Sequence, residues 1–217
     1  MIILPISICR KMKPQVLIIV VLSVALLFAV IKIVASRNTK QVGSVANAVI
    51  DNIMTRTSIR SFTDEALTDV QIETLLKAGM AAPSAVNKQP WKFVVVKNRS
   101  IMKQIADSIG PSRPAANAAC VIAVCGDMTK TLDGIGRANW IHDCSAATEN
   151  ILLAAHALGL GAVWMATYPY PDRMDKVRAL LNVPENEETL CLIAIGYPAE
   201  NPTPKDKWKP ENYRVIE

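Results

Sequence analysis

Apolar and polar positions alternate with several different periods along the 217 residues. The first block has no period at all. From Val16 to Ala35 the run "VLIIVVLSVALLFAVIKIVA" is interrupted only by Ser23 and Lys32. At about 1.5 Å per residue such a helix is about 30 Å long, the thickness of a bilayer's hydrocarbon core. It reads as a membrane-spanning helix or signal anchor flanked by a basic segment, residues 1–15, and a linker, residues 36–45. A cleaved signal peptide, ending near Val34-Ala35-Ser36, is the rival reading. Cys9 precedes the run, unlike a lipoprotein cysteine.

Beyond the linker, helical and strand periods take turns. "VANAVIDNIMT" (45–55) reads as an amphipathic helix. "LTDVQIETLLKAGMAAPS" (67–84) is a second helix, with Thr68 as N-cap, a stripe of Val70, Ile72, Leu75, Leu76 and Met80, and Pro83 as its stop. "RSIMKQIADSIG" ends a third at Gly110. In the long helix that closes at Gly159, Cys144, Ala147, Thr148, Ile151, Leu152, Ala155 and Leu158 recur in steps of three and four. "PDRMDKVRALLN" starts with Pro171. Between them lie β-branched runs that predict strands: "WKFVVVK", "CVIAVCGD", "AVWMATY" and "ETLCLIAIGYP". Few short strands with helices between and around them predict an α+β or α/β sandwich, residues 46–217. The final "AENPTPKDKWKPENYRVIE" has three prolines and no helical period; a tail of this kind often lies along a partner subunit.

The composition is 51% hydrophobic and 20% charged, and the formal net charge is +5. Six of the 24 bases and none of the 19 acids fall in residues 1–40, so the remainder carries 18 bases against 19 acids. The basic pI therefore reports the flanks of the apolar run, and a nucleic-acid surface is excluded as its cause. The cysteines, five in number, form no CxxC, and there are only two histidines. These are expected to be small buried thiols rather than zinc ligands or a disulfide framework, with Cys120 and Cys125 on opposite faces of one strand.

Four stretches could carry chemistry. In "RTSIRSF" (56–62) an extended backbone would put Arg56, Ser58 and Arg60 on one face, with no acid among them. Two guanidinium forks around a hydroxyl suit a phosphate, although a solvated turn also explains them. In "APSAVNKQPW" (82–91), Pro83 and Pro90 stiffen a loop that presents Asn87 and Gln89 to a heteroaromatic edge, or simply connects helix to strand. "LGLGAVWMATYP" (158–169) lacks the third glycine of a dinucleotide fingerprint. Lys205, Lys207 and Lys209 form a charge run in the tail. No nucleophile elbow or acid–histidine pair supports hydrolysis.

Together "RTSIRSF", "APSAVNKQPWKFVVV", "NILLAAHALGLGAVW" and "IAIGYPAENPTPKDKWKP", in this order over residues 46–214, resemble the FMN-dependent nitroreductase family. The resemblance implies an α+β sandwich with a central, mostly antiparallel sheet flanked by helices. It implies a homodimer with exchanged C-terminal tails and FMN at the subunit interface. Arg56, Thr57, Ser58 and Arg60 match the motif that holds the FMN phosphate and ribityl chain. Pro83, Ser84, Ala85, Asn87 and Gln89 match the loop beside the isoalloxazine of the partner subunit. Met165, Ala166 and Thr167 match the strand end facing the flavin. Lys205 and Lys207 match the tail's phosphate contacts, and Trp208 stands where many relatives have arginine. NAD(P)H would supply hydride and a small oxidised substrate, a nitroaromatic or quinone, would take it, with no catalytic side chain and no metal. Two alternatives are a membrane-anchored reductive dehalogenase of the iodotyrosine deiodinase type and a non-catalytic membrane-tethered flavin-binding module. About ten residues between "CVIAVCGD" and the long helix leave little room for the dehalogenase's substrate lid.

Overall fold

The computed structural model describes residues 22–32 and 47–217. The chain divides into two compact units, Met1–Asp51 and Asn52–Glu217. In the first, residues 22–32 are helical (α1). The flank 1–15, Cys9, the linker 36–45 and the rest of the apolar run 16–35 lie outside the described residues. Among the described residues no helix is long and apolar enough to cross a membrane, so they lend the expected span no support. Residues 47–55 form α2, which crosses the division between units.

The second unit is an α+β sandwich. Four strands, β1 (Trp91–Val96), β2 (Cys120–Asp127), β3 (Gly161–Ala166) and β4 (Glu187–Gly196), lie in the order β1-β2-β4-β3. Every pairing is antiparallel. Helices α3 (Asp69–Met80) and α5 (Asn139–Ala157) supply one face of the core, and α4 (Arg99–Ser108) and α6 (Pro171–Leu181) the other. Strand alternation decides which face each residue joins. Cys120, Ile122 and Val124 enter the first core, and Val121, Ala123 and Cys125 the second, as the odd separation of the two cysteines predicts. All four described cysteines are buried thiols. Burial pushes Cys120 up to about 11 and Cys125 and Cys191 up to about 12.

Local chemistry sets the helix ends. Thr68 and Gln71 form a reciprocal capping box on α3. Asn98 caps α4 through its side-chain oxygen. Gly159, at φ 73°, closes α5 while the Leu160 amide reaches back to the Ala155 carbonyl. Two expected faces are narrower than their periodicity. On α3 only Ile72, Leu75 and Gly79 are buried; Val70 is 73% and Met80 54% exposed. Gly79 joins that face because a Cβ there would crowd Ile151 and Phe93 at 3.0 Å. On α5, Leu158 lies past the last helical turn and is 40% exposed. The expected third helix stops at Ser108, and Gly110–Ala116 winds as a 3-10 segment around Pro111 and Pro114.

Candidate cofactor site

The segment 56–60 is pinned to the edge of the sheet. Ser58 bridges Ala162 in parallel register, and the Ile59 amide donates to the Ala162 carbonyl at 3.0 Å. Gly161 makes that approach possible, because a Cβ there would fall 2.6 Å from Ile59 Cγ2. Ile59 and Phe62 sink into the core, which leaves Arg56 and Ser58 half-buried and Arg60 exposed.

No acid lies within this segment, yet the fold brings two to it. Arg56 Nε pairs with Glu149 Oε1 of α5 at 3.4 Å. Among the described residues, the terminal nitrogens of Arg56 make no hydrogen bond. The Arg56 amide, not its side chain, closes α2 by donating to the Asn52 carbonyl. Glu200 accepts the amides of both Arg60 and Ser61 on one oxygen, and Arg60 Nη1 turns back to the Ser58 carbonyl at 3.5 Å. Thr57, with Thr55, Ile59, His156 and the tail's Glu200, Asn201, Pro202 and Pro204, lines a hollow of about 280 Å³, and Lys205 follows directly in sequence. His156 Nε2 lies 2.9 Å from Thr55 Oγ1.

The loop 84–89 is strained. Val86, Asn87 and Gln89 all take left-handed conformations, at φ 49°, 55° and 49°. For a β-branched residue this is a rare choice, and each such residue costs of order 1–3 kcal/mol. Val86 is 80% exposed, so burial of its side chain does not offset the cost. Three hydrogen bonds do. Gln89 N donates to Ser84 Oγ at 2.9 Å, Gln89 Nε2 to Asn87 Oδ1 at 2.8 Å, and Ala85 N to Asp143 Oδ1 of α5 at 2.9 Å. Pro83 is exposed and Pro90 buried at the loop's two ends.

The end of β3 is held as firmly. Leu190 is an extra residue in β4, since Val124 faces Cys191 while Cys125 faces Thr189. Its carbonyl accepts the amides of both Thr167 and Tyr168. Thr167 also donates its hydroxyl to the Thr189 carbonyl and accepts the Tyr170 amide, so its polar atoms are used within the chain. Met165 is buried, and the Ala166 carbonyl accepts Arg173 Nη1 at 3.2 Å. Tyr168 meets Trp140 edge to face, with ring centroids 5.3 Å apart.

Helix α5 therefore gathers three of the four expected groups along one axis. Its first turns touch the strand end through Trp140 and the loop through Asp143. Glu149 meets Arg56 six residues, about 9 Å, further on. The loop's amide side chains stand toward the start of α5 and the Arg56 guanidinium further along it. The tail is the exception. Lys205 and Lys207 are exposed and, among the described residues, bond to nothing. Asp143, Glu149 and Glu200 gave no signal in sequence, because each acts 58 or more residues away from its partner.

This arrangement has close counterparts. The Nitroreductase family matches residues 53–141 and 111–197. The chain belongs to the nitroreductase family. A protein of Archaeoglobus fulgidus named "Putative NADH dehydrogenase/NAD(P)H nitroreductase" is 45% identical over 148 residues, 68% of this chain and 84% of its own length. A crystal structure of the same name from Bacteroides thetaiotaomicron superposes with a TM-score of 0.73 at 41% identity, covering 77% of this chain and 96% of that one. A nitroreductase-type structure from Desulfovibrio desulfuricans, solved in complex with FMN, gives 0.67 at 30% identity, covering 78% and 96%.

Proposed function

We propose that the chain is an FMN-dependent oxidoreductase that takes hydride from NAD(P)H and passes the electrons to a small oxidised acceptor, a nitroaromatic or a quinone. The observation that carries this reading is the half-buried Arg56 guanidinium, held through Nε by Glu149 on the segment that Ser58 pins to the edge of β3. A positive fork fixed in place before the ligand arrives loses little freedom on gripping a phosphate. The residues present fit FMN. Arg56, Thr57, Ser58 and Arg60 would hold the phosphate and ribityl chain, with Lys205 or Lys207 adding charge from the tail. Pro83, Ser84, Ala85, Asn87 and Gln89 would face the ring of the partner subunit's cofactor in a homodimer. Met165 and Ala166 would form the floor, with Thr167 as its support.

FMN, when bound, supplies the two-electron chemistry. The chain's residues bind, orient and exclude water, and none needs to gain or lose a proton. That agrees with a site built from amides, guanidiniums and hydroxyls. We further propose that residues 46–217 form this flavin domain and that the run 16–35, on its sequence alone, anchors it to a membrane. Extraction of membranes with alkaline carbonate tests the anchor: a chain released by it is not anchored.

The activity is tested with the full chain in detergent, reconstituted with FMN and mixed anaerobically with NADH or NADPH. Bleaching of the flavin, then recovery on adding a nitroaromatic or quinone, is expected. Recovery with a halotyrosine alone would instead make it a dehalogenase. Yellow protein that neither nucleotide bleaches would be a binding module, and protein that stays colourless would remove flavin from the account.

A further inference from the structure

We infer that Asp143 is a positioning residue for the cofactor: its carboxylate, fixed on α5, holds the loop Ser84–Gln89 in the shape that meets the flavin. The inference rests on the proposal that this loop faces FMN. Asp143 is only 6% exposed, in the first turns of a helix whose neighbours Trp140 and Cys144 are buried in the core. A carboxylate so mounted has little freedom of its own.

The loop needs such a fixture. Its remaining hydrogen bonds, Ser84 to Gln89, Asn87 to Gln89, and the turn bonds Asn87 N to Ser84 O and Lys88 N to Ala85 O, close it on itself. They tie the loop to no other element. Among the described residues, the one hydrogen bond joining residues 84–89 to the rest of the chain is Ala85 N to Asp143 Oδ1. Three left-handed residues would relax toward ordinary backbone if that bond were lost, and the exposed Val86 makes no packing contact deep enough to stop them.

Three variants of the full chain test this. FMN is titrated into the apo-protein and followed by quenching of its fluorescence, and amide hydrogen exchange is measured without FMN. Asp143→Ala is expected to weaken FMN binding about tenfold, the loss of one hydrogen bond to a charged group. Exchange in 84–89 should accelerate while β2 and β4 stay protected. Asp143→Asn keeps an acceptor in the same place and should bind FMN within about twofold of the parent. Asp143→Glu keeps the charge but moves it by one methylene, and should weaken binding. Unchanged FMN affinity and loop exchange in Asp143→Ala would overturn the inference. So would Asp143→Glu matching the parent, which keeps the question open to test even if the alanine variant fails to fold. A parent that takes up no FMN, yet whose loop exchange responds to Asp143→Ala, would sink the flavin reading and leave the anchoring intact.

Discussion

The loop 84–89 and the tail 201–217 are both expected to reach the cofactor, and the chain treats them in opposite ways. The loop is six residues long, tied end to end by the bond from Gln89 N to Ser84 Oγ and bolted to α5 by a buried carboxylate. The tail is held at its root, where Pro198 bridges Phe62 and Glu200 caps the amides of Arg60 and Ser61. Beyond that root, its hydrogen bonds are internal, and Trp208 stacks on its own Tyr213 at 5.4 Å. Trp208, Tyr213, Val215 and Ile216 are all largely exposed. The loop is preorganised by one chain. The tail offers apolar surface that one chain does not cover, as the proposed homodimer requires.

The largest effect should come from the tail. Ending the chain after Glu200 removes Lys205 and Lys207 and should lower FMN affinity by about 100-fold, the scale of two charge-assisted contacts. Sedimentation should show dimer becoming monomer; a truncated chain that stays dimeric and keeps its flavin would erase the contrast. Next, Arg56→Ala should weaken FMN by about 10- to 100-fold, whereas Lys209→Ala, a solvated charge, should stay within about twofold. Equal affinities in a titration would count against the guanidinium. Gly161→Ala drives a Cβ against Ile59 and should cost about 1–3 kcal/mol in urea unfolding, with FMN binding falling as the segment 56–60 lifts. Val86→Gly should act in the other direction on stability. It relieves a left-handed β-branched residue and should add about 1 kcal/mol to the unfolding free energy while loosening FMN. The smallest response is the core between loop and tail. With thiols raised to about 12 by burial, Cys125 and Cys191 stay neutral and should resist alkylation at pH 8 until urea is added, as read by peptide mass.

Most of the architecture was legible because it is periodic. Strands such as "CVIAVCGD" and the Thr68 capping box announce themselves within a few residues. The motif "RTSIRSF" shows two guanidiniums and a hydroxyl that suit a phosphate or a solvated turn alike, and its pairing with the edge of β3 is written nowhere in it. What stayed hidden acts at long range. Glu149 aims Arg56 from 93 positions away, and nothing local marks it. Val86 was invisible for a different reason: a valine carries no propensity for left-handed backbone, so the strain is imposed by the loop's ties rather than encoded at the residue. The strand order and the bulge at Leu190 depend on which edges meet, which no single stretch records.

That bulge has a consequence for how the molecule comes apart. The carbonyl of Leu190 holds two successive amides of the chain leaving β3, so the floor of the proposed site is fastened to β4, an inner strand of the sheet. Opening it means opening the sheet, at the cost of global unfolding. Within one chain the tail beyond Glu200 has no hydrogen bond to the rest of the described residues, and the loop has one. On warming, the site should therefore shed its rim first and its floor last, passing through a state that has lost its ligand while its strands remain locked.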